Sequence, residues 1–290
     1  MNTIVKGFYN SIFKQSKRLE EARGAFREGD VERSILVHKE YTHTEEHLGA
    51  QSELLKVIVF GGLDGIVTIF SLVSGCVAAG FTTIQLLTIC MGSLLADAFA
   101  MSVGEYVSSK AEKDFVNSEE QRERWEVENC PEEEIDEMYN IYLSKHGFSP
   151  EDARKVVDLT FKYKDFFISN MMFEELGLVF EPGGSSQPSS LKTATFMFFS
   201  FSLFGLIPMV SFVSFKYIFS LSSLLDRHSQ VLSYTTACIC CALTLSILGY
   251  IKGKFCSMPP VKSALTMLFS GLISGIVSYF VVTFVTYLTS

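Results

Sequence analysis

A chain of 290 residues, 48% of them hydrophobic and with a positive mean hydropathy, is too apolar for an ordinary soluble domain of that length. Its formal net charge of −8 is local: residues 108–190 carry 19 Asp and Glu against 9 Lys and Arg, whereas the last hundred residues hold one acid, Asp226. A soluble acidic block therefore interrupts a membrane-embedded chain, and no nucleic acid is expected among its partners.

The first 53 residues are polar, with 8 Lys and Arg and 9 acids, and no signal peptide is expected there. Within them HTEEH, His43 to His47, fits the H-x-x-E-H order of inverted zinc peptidases. So short a polar arm offers no soluble domain to complete such a site.

A helix crossing about 30 Å of hydrocarbon needs roughly 20 mostly apolar residues. Five stretches meet that length, at 54–77, 82–107, 193–219, 230–251 and 262–288. The first two are joined by a few residues around Gly80, which predicts a tight antiparallel hairpin at 54–107. The acidic block at 108–190 follows, and 191–290 returns to the membrane for three further spans, the first of them with a kink expected at Pro208. The fold class is thus an all-α membrane protein: five transmembrane helices with a three-helix domain inserted between spans 2 and 3.

Lys and Arg cluster in the N-terminal segment, in 108–190 and at Lys252, Lys254 and Lys262, while the opposite loops carry little beyond Lys216 and Arg227. That bias places the N-terminus and 108–190 in the cytosol, with the C-terminus on the other side after five crossings. Five of the seven cysteines, Cys76, Cys90, Cys238, Cys240 and Cys241, lie inside apolar runs, where a thiol behaves as a small hydrophobe. Neither a disulfide framework nor a paired zinc motif is present. In the fifth span Ser270, Gly271, Ser274, Gly275 and Ser278 form a small-residue stripe that suits either a dimer face or packing within one subunit.

Ionisable side chains at membrane depth are costly and usually functional. Asp64 lies about ten residues into the first span, roughly 15 Å deep, among Gly61, Gly62 and Gly65. On the second span Asp97, Met101 and Glu105 recur at i, i+4 and i+8 and share one stripe. Met101 falls at the depth of Asp64, so a carboxylate and a thioether can face each other, a pair that favours softer transition metals over magnesium or calcium. Taken singly, Met101 reads as lipid-facing or core filler, and Asp64 as either a structural hydrogen-bond partner or part of a cation or proton route.

From Glu105 to Asn129 no Pro or Gly intervenes, which predicts that the second helix continues past the membrane to NCP, where Pro131 opens a new helix with Glu132, Glu133 and Glu134 in its first turn. SPED announces a third helix, Ser149 as cap and Pro150 first, running to about Leu176 before the EPGGSSQPSS linker. Glu123 and Glu126, and Glu134 and Glu137, are spaced three apart on shared faces; Met171 and Glu175 are four apart, with Met172 alongside. Like charges so placed need a counterion. Spacing alone leaves open a carboxylate and thioether metal cage, a solvated acidic face and, for FFISNMMF, a plain core stripe. No E-x-x-H pair accompanies these acids, which disfavours a ferritin-like di-iron oxidase.

GGLDGIVTIFSLVSG, AMSVGEYVSSKAEKDF, ERWEVENCPEEEIDEM, NMMFEELGL and GLIPM together resemble the vacuolar iron transporter family of plants, fungi and apicomplexan parasites, from about residue 43 to the end. The resemblance implies a secondary transporter rather than an enzyme: a five-span homodimer moving Fe2+ from cytosol into a vacuole or similar acidic store in exchange for protons, with no prosthetic group. It implies Glu123, Glu126, Glu134, Glu137, Met171, Met172 and Glu175 as cytosolic metal ligands, Asp64 and Met101 as the intramembrane pair, and Glu53 as an acid at the cytosolic mouth. Val57 and Ser93 depart from acids of the plant members, and Asp97 or Glu105 is a candidate to compensate on the proton or ion path. Mn2+, Zn2+, Co2+ and Ni2+ stay open as cargo of a transporter of the same build, and a membrane-tethered acidic adaptor for a basic protein stays open as a different class.

Overall fold

A computed structural model gives the fold for residue 21, residues 24–25, 28–40, 49–179, 188–220, 229–255 and 258–289. Among these described residues every regular element is a helix and there is no strand. The His43–His47 motif and most of the EPGGSSQPSS linker lie outside them. The chain groups into two units, Met1–His47 and Leu48–Ser290. In the first, Asp30 caps α1 (Val31–Glu40) by accepting the Arg33 amide at 2.9 Å, and Arg33 pairs with Glu28 at 2.8 Å.

The second unit begins with α2 (Gly49–Ala78) and α3 (Thr83–Asn129). Between them Gly80 sits at φ 71°, its amide bonded to Val77 O and that of Phe81 to Cys76 O. This paired closure needs a left-handed residue, which glycine supplies without strain. Thr82 and Gln85 then cap α3 reciprocally. At 1.5 Å per residue, 47 residues reach about 70 Å, more than twice the hydrocarbon thickness, so the second half of α3 projects from the membrane.

Among the described residues, five helices are long and apolar enough to cross a bilayer: α2, the first part of α3, α7 (Ser190–Ser220), α8 (Ser229–Phe255) and α9 (Pro260–Thr289). α2 and α3 pack mainly on α7 and only lightly on each other, a departure from a closely paired hairpin. The glycines explain it. A Cβ on Gly65 would stand 2.4 Å from Phe201 O, and one on Gly205 would stand 2.5 Å from Leu94 Cδ1, so α7 wedges in at backbone contact. Hydroxyls fasten the wedge, Ser200 Oγ donating to Ile58 O at 2.6 Å and Ser102 Oγ to Ala194 O at 2.9 Å. α7 runs through Pro208 as one helix.

The small-residue stripe of α9 packs within the subunit. A Cβ on Gly275 would meet the Phe70 ring at 2.2 Å, Ser274 and Ser71 hydroxyls bond at 2.8 Å, and Ser278 Oγ donates to Ser71 O at 2.7 Å. Facing outward are Ile273, Phe280 and Phe284, exposed as a lipid-contacting face would be.

Beyond the spans, α3 joins α4 (Pro131–Ser144), α5 (Pro150–Thr160) and α6 (Lys164–Glu174) around a core that includes Val127, Met138, Val157, Phe167, Met171 and Met172. The break at Cys130–Pro131 and the Ser149 cap fall where the sequence places them; Ser149 Oγ accepts the Asp152 amide at 3.2 Å. The expected single helix 149–176 is two. Thr160 Oγ1 bonds back to Val156 O and Val157 O, the chain turns, and Phe161 meets Phe167 edge-on at 5.2 Å, which swings the Met171 and Met172 side of α6 into the core.

Candidate metal centre

The last two turns of α3 and the first two of α4 set acids against one another at the Cys130 corner. Glu123 is 0% exposed and neither carboxylate oxygen has a hydrogen-bond donor among the described residues. Its charge partner is the neighbouring Arg122, whose Nη2 stands 2.6 Å away but not in a hydrogen-bonding direction. The charges acting on Glu123 are Glu175, Arg122, Glu134 and Glu126. Those acting on Glu134 are Glu126, Glu137, Glu175 and Arg122. The five glutamates chosen from spacing therefore share one field.

Glu134 is buried on α4, and burial, followed by the charges of Glu126, Glu137 and Glu175, pushes its carboxyl up to about 7, with Arg122 opposing. Glu137 and Glu175 lie at the exposed rim. Glu174 turns the other way: Lys145 and His146 bond its carboxylate at 2.8 Å each and hold it below the usual carboxylate range. Met171 and Met172 are both 0% exposed and pack within the apolar core with Val127, Met138 and Phe167. Among the described residues no three His, Cys, Asp or Glu side chains already converge on a point that would hold one ion. The acids are gathered but not closed.

Within the spans the carboxylates meet in two levels. Asp64 on α2 has Asp97 of α3 as its charged neighbour and the Thr68 hydroxyl as its hydrogen-bond partner. Glu53 on α2 has Glu105 and Glu112 of α3, with Lys113 and Lys56, around it. Counting residues along the helices, the two levels are separated by about 12–17 Å. Met101 packs against the core that contains Leu94 and Ala98. Val57 is buried, and Ser93 is half-buried on α3. Gly61, Gly62 and Gly65 contact Met197, Phe204 and Phe201 of α7, so these glycines admit a helix.

A match to the VIT family spans residues 55–283. The chain belongs to the VIT family. It is 47% identical over 268 residues to the vacuolar iron transporter of Toxoplasma gondii, covering 90% of this chain and 86% of that protein. To the vacuolar iron transporter of Plasmodium berghei it is 41% identical over 266 residues, 91% and 94% of the two chains. To vacuolar iron transporter 1 of Arabidopsis thaliana it is 28% identical over 237 residues, 82% and 88%. Two side chains in this VIT-family chain escaped the spacing argument. Glu119 and Arg122 join the acids from the same face of α3, Arg122 bonding Glu119 at 3.0 Å and Glu126 at 2.8 Å. The signal was there in a run of 119, 122, 123 and 126 with a base in the middle.

Proposed function

We propose that this VIT-family chain is a proton-coupled transporter that moves Fe2+ from the cytosol into a vacuole or a similar acidic store. The observation that carries the proposal is the buried Glu123 within a field of further glutamates and one base, an arrangement whose excess charge a divalent ion would offset. Residues 108–190 form the cytosolic gathering domain between the 54–107 hairpin and the 191–290 spans; the N-terminal segment faces the cytosol and the C-terminus the lumen. Glu123, Glu126, Glu134, Glu137 and Glu175 are the oxygen ligands, and Met171 and Met172 supply sulfur once α6 shifts. The protein works as a homodimer whose two hairpins frame the route.

Metal leaves the domain for the Glu53 and Glu105 level and then for Asp64, Asp97 and Met101. Protons compete with metal for carboxylates, so a low luminal pH drives release there and returns protons to the cytosol. Oxygen with sulfur also admits Mn2+, Zn2+, Co2+ and Ni2+, so competition among metals sets the order of preference. The test is Fe2+ entry into proteoliposomes holding the full chain. The proposal predicts flux that Asp64→Ala abolishes; flux at the parental rate in that variant would refute the route. An acidic adaptor would give no flux from either protein.

A further inference from the structure

Arg122 does more than neutralise a neighbour. Its guanidinium reaches Glu119 at 3.0 Å, Glu126 at 2.8 Å and Glu123 at 2.6 Å, three carboxylates from one fork, and the contact to the buried Glu123 has the distance of an ion pair without the direction of a hydrogen bond. The other nearby arginine is committed elsewhere, Arg124 bonding Glu120 at 2.8 Å and Asp165 at 3.0 Å. A guanidinium cannot be deprotonated at physiological pH, so this cation is permanent and only movement can remove it. Movement has room, because the Arg122 side chain is 42% exposed while that of Glu123 is 1% exposed.

We propose that Arg122 is the resident counterion of the glutamate cage and a specificity-setting competitor of the cargo. It holds Glu123 and Glu126 while no metal is bound, must swing toward solvent when a divalent ion takes those oxygens, and returns when the ion leaves. A monovalent fork that bridges three carboxylates keeps the acids together without closing them on a point. It also lowers metal affinity, so the cage loads at high cytosolic metal and empties toward the membrane instead of trapping its cargo. Arg122 is a positioning residue and touches no metal.

The inference rests on the cage binding divalent metal, and the experiment separates the two. Full-length protein in detergent is titrated anaerobically with Fe2+ in a calorimeter, and its melting temperature is followed with and without the metal. Arg122→Gln is expected to bind about tenfold more tightly than the parent, since a like charge next to the ion is gone. It should also show a lower metal-free melting temperature, a larger upward shift on adding Fe2+ and a slower turnover with a lower KM in proteoliposomes. Arg122→Lys keeps the charge, loses the fork and should fall between the two; it carries the test if Arg122→Gln does not fold. Equal or weaker binding in a folded variant, with the parent binding normally, overturns the counterion role alone. A parent that gives no heat with Fe2+ overturns the cage and the counterion role with it.

Discussion

At the scale of single residues the energetics turn on Glu123 and Glu134. A buried carboxylate without a hydrogen bond is expensive, and its neutral isostere, though still polar, costs less to bury. Glu123→Gln is therefore expected to raise the melting temperature of the metal-free protein while weakening Fe2+ binding at least about tenfold, a loss of about 1.4 kcal/mol. A variant that melts lower and binds as before would contradict this. Glu134 adds a pH dependence of definite sign. Its carboxyl, ordinarily near 4.5, is raised to about 7 when folded, so its contribution to stability is complete below the ordinary value and disappears as pH rises through about 7. Metal-free protein kept in chelator should consequently melt lower at pH 8 than at pH 5.5, and Fe2+ should restore the loss most at the higher pH. These residues were legible as candidates because acids three apart share a helix face. Arg122 stood in that same run, but its role was not legible, since a base among acids reads as ordinary helix pairing until the structure shows it spanning three of them.

Elements were more legible than their partners. The turn at Gly80, the corner at Cys130–Pro131 and the Ser149 cap each depend on a short stretch of chain, and local chemistry decided them. Removing the Ser149 hydroxyl in Ser149→Ala should cost about 1 kcal/mol of stability in the helical unit beyond the spans, read as a small fall in melting temperature without loss of transport. The division of 149–176 into α5 and α6 was hidden because no Pro or Gly marks it; the turn serves the packing of Phe161 and Phe167, a tertiary demand. The wedge of α7 was hidden for the same reason, since glycines beside Asp64 suit an ion or a helix equally well until a neighbour is seen against them. Gly65→Ala would set a Cβ 2.4 Å from Phe201 O and is expected to cost about 1–3 kcal/mol, or to prevent recovery of folded protein, whereas Gly92→Ala meets open space and should be neutral in the same melting assay.

Across the whole molecule, charge is sorted by depth. The excess acid of residues 108–190 stands beyond the apolar part of the spans, Glu53, Glu105, Glu112, Lys56 and Lys113 form a mixed level near the start of α2, and Asp64 with Asp97 lies further along the spans. The family relationship and the five apolar helices found among the described residues describe a membrane protein, and the proposed route would run from a many-carboxylate reservoir to a two-carboxylate step. Coupling follows if each step can hold either protons or metal. The decisive measurement is Fe2+ uptake into proteoliposomes with an acidic interior, followed before and after a protonophore is added. The proposal predicts accumulation above the external concentration that stops and reverses when the pH difference collapses; uptake of the same rate and extent without the difference would contradict it.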